Sequence, residues 1–243
     1  MKNLFIYCMC LVGLLTGIQA CYVDLNNGGI GCENGRGPLV TESRVIPAFH
    51  SVINGIGADV TIRQDLDESF RITAQENILN NLTTRVIDGE LIIDYRGCFR
   101  NANIDIFISN PEIEAVHNVG SGTIIGDNIW QSDQLHLTVI GSGDIDAEFL
   151  ANDLRAEITG SGTMDLFGEI DQGVLRVSGS GDIYAFNLDS NVQEIDISGS
   201  GNCEVFVRND LDVRISGSGQ VYYKGNPSIS TNISGSGEVI DAN

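Results

Sequence analysis

The chain has 243 residues, 42% of them hydrophobic and 19% charged, which sets it among folded globular proteins and apart from disordered or collagen-like ones. Thirteen Lys and Arg against 33 Asp and Glu leave a net charge of −20, so a phosphate backbone is repelled and nucleic acid is excluded as a partner. Twenty-nine glycines beside 4 prolines point to glycine turns that recur along the chain.

The chain opens with Lys2 and an apolar stretch from Leu4 to Ile18, the pattern of a secretory signal peptide over residues 1–20. That stretch is short for a membrane span, and no second apolar segment of spanning length follows. The junction Ile18-Gln19-Ala20-Cys21 resembles the lipobox of bacterial lipoproteins, which makes Cys21 the expected lipidation site; ordinary cleavage near Ala20 is the alternative. Residues 21–40, rich in Asn and Gly, read as a tether. Cys8 and Cys10 leave with the leader, and Cys203 falls where the other repeats carry Ile, Met or Val, the place of a small buried hydrophobe. Cys32 and Cys98 are then the expected disulfide of an exported chain.

Residues 41–119 read as irregular β coils or a cap. The runs 58–62, 70–74, 91–95 and 104–108 alternate or are apolar between turn signals, and Asp88-Gly89 suits a tight hairpin. From residue 120 to 243 the tripeptide Gly-Ser-Gly recurs with starts at Gly120, Gly141, Gly160, Gly179, Gly199, Gly217 and Gly235, at intervals of 18 to 21 residues. Gly55-Ile56-Gly57 reads as a degenerate first copy of that tripeptide. β-type residues at such a period predict an all-β chain, a parallel β-solenoid with one Gly-Ser-Gly corner per coil, continuous with residues 41–119. Leu175, Val177, Gly179, Gly181 and Ile183 share a parity, as do their equivalents in the other repeats. Both glycines of each corner, the first set above and Gly122, Gly143, Gly162, Gly181, Gly201, Gly219 and Gly237, are therefore expected to face inward with the serine outward. Glu157, Arg176, Asp196 and Arg214 form an outward column of alternating sign, and Tyr184 and Tyr222 share another outward position.

Phe49-His50-Ser51-Val52, Gly57-Ala58-Asp59-Val60-Thr61-Ile62, Asp88-Gly89-Glu90-Leu91-Ile92-Ile93 and the serial Gly-Ser-Gly make residues 45–240 resemble the bacterial family named putative auto-transporter adhesin, head GIN domain. The resemblance implies an exported β-solenoid, frequent in Bacteroidetes and often lipid-anchored. It brings no catalytic residues with it. The residue after the tripeptide departs from the family's Asp, varying among Thr, Asp, Asn, Gln and Glu.

The expected role is binding or adhesion from an outer-membrane lipid anchor, with surface polysaccharide, glycoprotein or another envelope protein as partner and no cofactor. The alternatives are a polysaccharide lyase or glycosidase, for which solenoids also serve as scaffolds, and a spacer without ligand. Asp144, Asp146 and Asp165 fall near one another by column arithmetic, with Asp182 a further coil away, and are the candidates for shared calcium or for acid–base work; a solvated acidic face is the simpler reading. His50, His117 and His136 show no nucleophile–base arrangement in the sequence.

Overall fold

The structure is a computed structural model and describes residues 32–243. The leader and Cys21 lie outside the described residues. In chain order the elements are β1 (Glu33–Asn34), β2 (Leu39–Ser43), β3 (Ser51–Asn54), β4 (Asp59–Gln64), β5 (Ser69–Gln75), α1 (Glu76–Leu79), β6 (Leu82–Ile87), β7 (Glu90–Tyr95), β8 (Phe99–Arg100), β9 (Asp105–Asn110) and β10 (Ala115–Gly120). They continue with β11 (Thr123–Gly126), β12 (Trp130–Gly141), β13 (Asp144–Gly160), β14 (Thr163–Gly179), β15 (Asp182–Gly199), β16 (Asn202–Gly217), β17 (Gln220–Lys224), β18 (Ser228–Gly235) and β19 (Glu238–Asp241).

The regular part is a parallel β-solenoid. β13 lies in register on β12 and β14, β15 on β14 and β16, and Gly141, Gly160, Gly179, Gly199, Gly217 and Gly235 follow one another in a single column. Each coil has two bends. One is the Gly-Ser-Gly corner. The other, at 150–153 in β13 and its equivalents, is where the inward parity slips: Phe149 is buried, Asn152 and Asp153 are exposed, and Leu154 is buried again. Between the bends, inward Ile, Val, Leu and Ala fill the core, with Trp130 and Phe149 its largest fully buried members. Each such aliphatic side chain contributes about 1.5 to 3 kcal/mol on burial.

The glycine corner differs from the expectation in one respect. The second glycine is buried as expected, and a Cβ on Gly181 would lie 2.5 Å from Ile158 Cγ2 and 2.6 Å from Gly162 O. The first glycine, half-buried from Gly120 to Gly217 and exposed at Gly235, is the bend itself, with φ of 118° to 135° from Gly141 to Gly235. In that left-handed region an L side chain is strained, and its Cβ would press on the carbonyl of the coil beneath. The serine faces solvent while its N–H continues the ladder, as in Ser180 N to Gly160 O at 2.8 Å.

Below the first tripeptide the order in space departs from the order in sequence. β3 and β4 form a rung beneath β10 and β11, yet the rung beneath β3 and β4 is the later β7 and β9. The rung of residues 51–64 therefore lies between two rungs made after it. Antiparallel β6 on β7, and β5 with β2 on β9, close this end of the stack. Asp88 and Gly89, with φ of 51° and 82°, make the β6–β7 hairpin. The stretch read as a tether is docked from Cys32 onward. Cys32 is bonded to Cys98, β1 pairs with β8, and Glu33 accepts hydrogen bonds from Asn77 Nδ2 (3.0 Å), Asn81 Nδ2 (2.9 Å) and the Tyr95 hydroxyl (2.8 Å). Those bonds, from Asn77 and Tyr95 foremost, hold the Glu33 carboxyl below its ordinary pKa; burial, with Glu33 beside it, pushes the Tyr95 phenol up to about 12.

The degenerate corner is Ile56-Gly57-Ala58 rather than Gly55-Ile56-Gly57, because Asn54 registers with Asn118 and Val60 with Ile124, so that Ile56 lies beneath Gly120. These lowest corners are braced by amides. Asn54 Nδ2 donates to Ala58 O (3.0 Å) and Asn118 Oδ1 (3.2 Å), and Asn118 Nδ2 donates to Gly122 O (2.6 Å) and Asp144 O (3.0 Å). Both asparagines are fully buried at positions that higher coils fill with Val139 and Ile158. Cys203 is buried and unbonded, and burial pushes its thiol far up.

Candidate functional site

Outward side chains of a solenoid line up from rung to rung, so any recognition surface is assembled from columns. The column after the tripeptide turns out to be structural. Asp144 Oδ1 accepts from Thr163 N (3.1 Å), Asp182 Oδ1 from Asn202 N (2.8 Å), and Asn202 Oδ1 from Gln220 N (3.2 Å). The variation there among Asp, Asn and others becomes intelligible: where the bond forms, the position needs a short side chain with an acceptor oxygen to satisfy the next coil.

Asp146 and Asp165 are in register, with Asp144 two residues before Asp146. Burial, reinforced by the Asp146 and Asp144 carboxylates, raises the Asp165 carboxyl above its ordinary pKa. Asp144 is committed to backbone, and among the described residues no three His, Cys, Asp or Glu side chains converge as metal ligands would. Tyr184 and Tyr222 do share a column, separated by Glu204, and the Tyr222 hydroxyl donates to Gln220 Oε1 (2.8 Å).

In the charge column the register is as expected but the pairing is not. Arg176 reaches Glu157 (3.3 Å), whereas Arg214 turns from Asp196 to Glu194 and Asp212. His117 and His136 stack edge to face with centroids 5.2 Å apart, and His50 Nδ1 lies 3.1 Å from Glu114 Oε2. Burial, then the neighbouring His136, lowers the His117 pKa.

A concave surface built from a repeating column lies over the second bend. A groove of about 750 Å³ has Leu150, Ala151 and Ile170 for its floor and Asp133, Asn152, Asp171 and Asn191 along it. These four occupy equivalent places in successive coils, because Ser132, Ala151, Ile170 and Ser190 register in turn. Asn152 Nδ2 donates to Asp133 Oδ1, Asn191 Nδ2 to Asp171 Oδ1 (2.7 Å), and Asn209 Nδ2 extends the row to Asn191 Oδ1 (3.5 Å). Leu150 is 44% exposed, an apolar step beside this polar row. A second groove of about 630 Å³, lined in part by His50, Glu114, His136 and Arg155, shares Ser132 and Asp133 with the first. Sequence reasoning missed the row although it was countable: Asp133, Asn152, Asp171, Asn191 and Asn209 each stand eight residues before the first glycine of the following tripeptide, and following strand parity alone stops short of that bend.

Residues 48–227 match the bacterial family described as putative auto-transporter adhesin, head GIN domain. The chain belongs to this family. Among solved structures, a chain described as a putative adhesin from Bacteroides fragilis is 24% identical with a TM-score of 0.79, covering 85% of this chain and 98% of its own. One described as a putative lipid binding protein from Parabacteroides distasonis is 24% identical with a TM-score of 0.74, covering 87% of this chain and all of its own. A putative adhesin from Parabacteroides merdae, 20% identical, has a TM-score of 0.67 with 86% and 98% covered. At these identities the likeness is one of fold. No curated protein matches the chain.

Proposed function

We propose that the chain is a non-catalytic binding module of the cell envelope, exported by its leader, held at a membrane through lipid on Cys21, and engaging neutral, hydroxyl-rich polymer along the groove of the second bend. The observation that carries the reading is the Asp133, Asn152, Asp171, Asn191 row, whose amides and carboxylates repeat at the coil spacing of about 4.8 Å. A periodic row of donors and acceptors suits a periodic ligand. Amides and carboxylates hydrogen-bond sugar hydroxyls in both directions, and the exposed face of Leu150 offers an apolar step to a sugar ring. The net charge of −20 selects against anionic polymers, so uronic acid and phosphate polymers are the disfavoured class. The adhesin descriptions of the family and of its solved relatives agree with a surface-binding role.

A glycan array probed with the purified protein tests the reading. Neutral glycans should bind, and Asp171→Ala with Asn191→Ala should weaken binding about tenfold or more while circular dichroism stays unchanged. Binding that survives both substitutions would move the site elsewhere, and release of new reducing ends from the bound polymer would make the protein an enzyme.

A further inference from the structure

The two ends of the stack are finished differently. Antiparallel strands and the Cys32–Cys98 bond close the lower end, whereas at the upper end β18 pairs only with β16, and β19 only with β17, among the described residues. Inward residues of that last rung are left open: Ile229, Thr231 and Ile233 register on the buried Leu211, Val213 and Ile215, yet all three are exposed. An edge strand of this kind presents a row of unpaired N–H and C=O groups together with apolar side chains, which is a template for another strand.

Two features of β18 say which strand. In the coil beneath, Asp210, Asp212 and Arg214 carry charge; at the same register positions β18 has Ser228, Ser230 and Asn232. In a chain of net charge −20, an uncharged edge removes repulsion where a second copy would approach. The segment Ser228-Ile229-Ser230-Thr231-Asn232-Ile233-Ser234 is also a chemical palindrome about Thr231. Antiparallel pairing with its own copy sets Thr231 opposite Thr231, Ile229 opposite Ile233, Ser230 opposite Asn232 and Ser228 opposite Ser234. Inward residues then meet only inward ones, and the two cores become continuous. β19 carries Glu238 and Asp241 and lacks this symmetry. We propose that the β18 edges of two copies pair antiparallel about Thr231, closing both open ends in a two-fold dimer whose interface is self-complementary.

Sedimentation equilibrium on the full chain gives the test. The unaltered protein should form a dimer, and Ser230→Lys with Asn232→Lys should weaken it about tenfold by setting like charges opposite. Ser230→Lys with Asn232→Asp should keep the dimer, since the same pairing now joins opposite charges. All three substitutions lie at outward positions, so the thermal unfolding midpoint serves as the control for folding. Thr231→Cys should cross-link copies under mild oxidation, while Ser228→Cys, displaced from its own copy in this register, should not. A protein that stays monomeric, a dimer indifferent to the paired lysines, or cross-linking at Ser228 but not at Thr231 would overturn the proposal. The glycan readout of the second bend is separate, so either reading can fail alone.

Discussion

The rungs of residues 51–64 and 115–126 and the repeats from Gly141 upward solve the same problem, turning a chain tightly at one corner, by opposite means. At Ile56-Gly57-Ala58 and Gly120-Ser121-Gly122 the turn is held by side chains: buried Asn54 and Asn118 span the corner and satisfy its carbonyls. Above them the turn is held by backbone alone, with a left-handed glycine in each coil lying on the glycine carbonyl below. The amide brace makes room for a residue as large as Ile56, which is buried in its corner. The glycine corner admits nothing larger but can be repeated without change. A stack can therefore begin on specific side-chain chemistry and continue on geometry.

The strongest way to break the backbone-built part is Gly179→Val. It combines a φ of 127° with a Cβ driven toward Gly160 O, and should cost more than about 3 kcal/mol in chemical denaturation, or prevent folding. Ser180→Ala beside it should stay within about 0.5 kcal/mol, because that side chain faces solvent. A larger loss at Ser180 than at Gly179 would mean that the serine column, not the glycine column, supports the corner.

The matching test of the side-chain-built corner is Asn118→Ala. It removes the amide that reaches the carbonyls of Gly122 and Asp144 and the acceptor of Asn54, while Gly122 O keeps Asp144 N and Asn54 keeps Ala58 O, and urea unfolding should show a loss of about 1 to 3 kcal/mol. Asn118→Val together with Thr123→Asp, in imitation of the coil of Val139 and Asp144, should not recover it, since the corner beneath still holds Ile56.

How much of this was visible beforehand depends on periodicity. The solenoid, its inward columns and the stacked tripeptides were legible because register in a regular stack follows from counting. The offset at Ile56 and the placing of 90–110 beneath 51–64 were not, because both lie where the period is absent and pairing is decided by packing in space. Gln193 was hidden for another reason. It is a polar residue on an inward position, only 1% exposed, registered with Gly173 below and Leu211 above. Gly173 leaves the space its amide fills, and Gln193 Oε1 has no hydrogen-bond partner.

That residue sharpens the comparison, as the place where side-chain polarity intrudes on the geometric part without bracing anything. Gln193→Leu should raise stability by about 1 kcal/mol through loss of an unsatisfied buried oxygen. A fall in the denaturant midpoint would show that the amide has a structural partner after all.

The smallest expected effect concerns the docking of β1. Glu33 has its folded pKa held below 4.5, so its contribution is complete above that value and is lost as pH falls through the lowered one. The stability difference between the native protein and Glu33→Gln that is present near pH 7 should therefore shrink progressively as unfolding is measured at pH values falling below 4.5. Equal pH dependence in both would assign the acid sensitivity to other carboxylates.

The position of residues 51–64 between two later rungs has a meaning in time. Those strands are the first of the stack to be made, yet neither of their edges is covered until 90–110 and then 115–126 have arrived. The central rung is thus a nucleus that must wait for its neighbours, and the wait involves distant pairings that close slowly. Everything after Gly120 is a different kinetic problem: each coil adds to an ordered template across a loop of only 18 to 21 residues, so growth from there is local and quick. A chain delivered to its compartment from the N-terminus would spend its vulnerable interval before residue 126 is available, and the long repetitive remainder would add little to it.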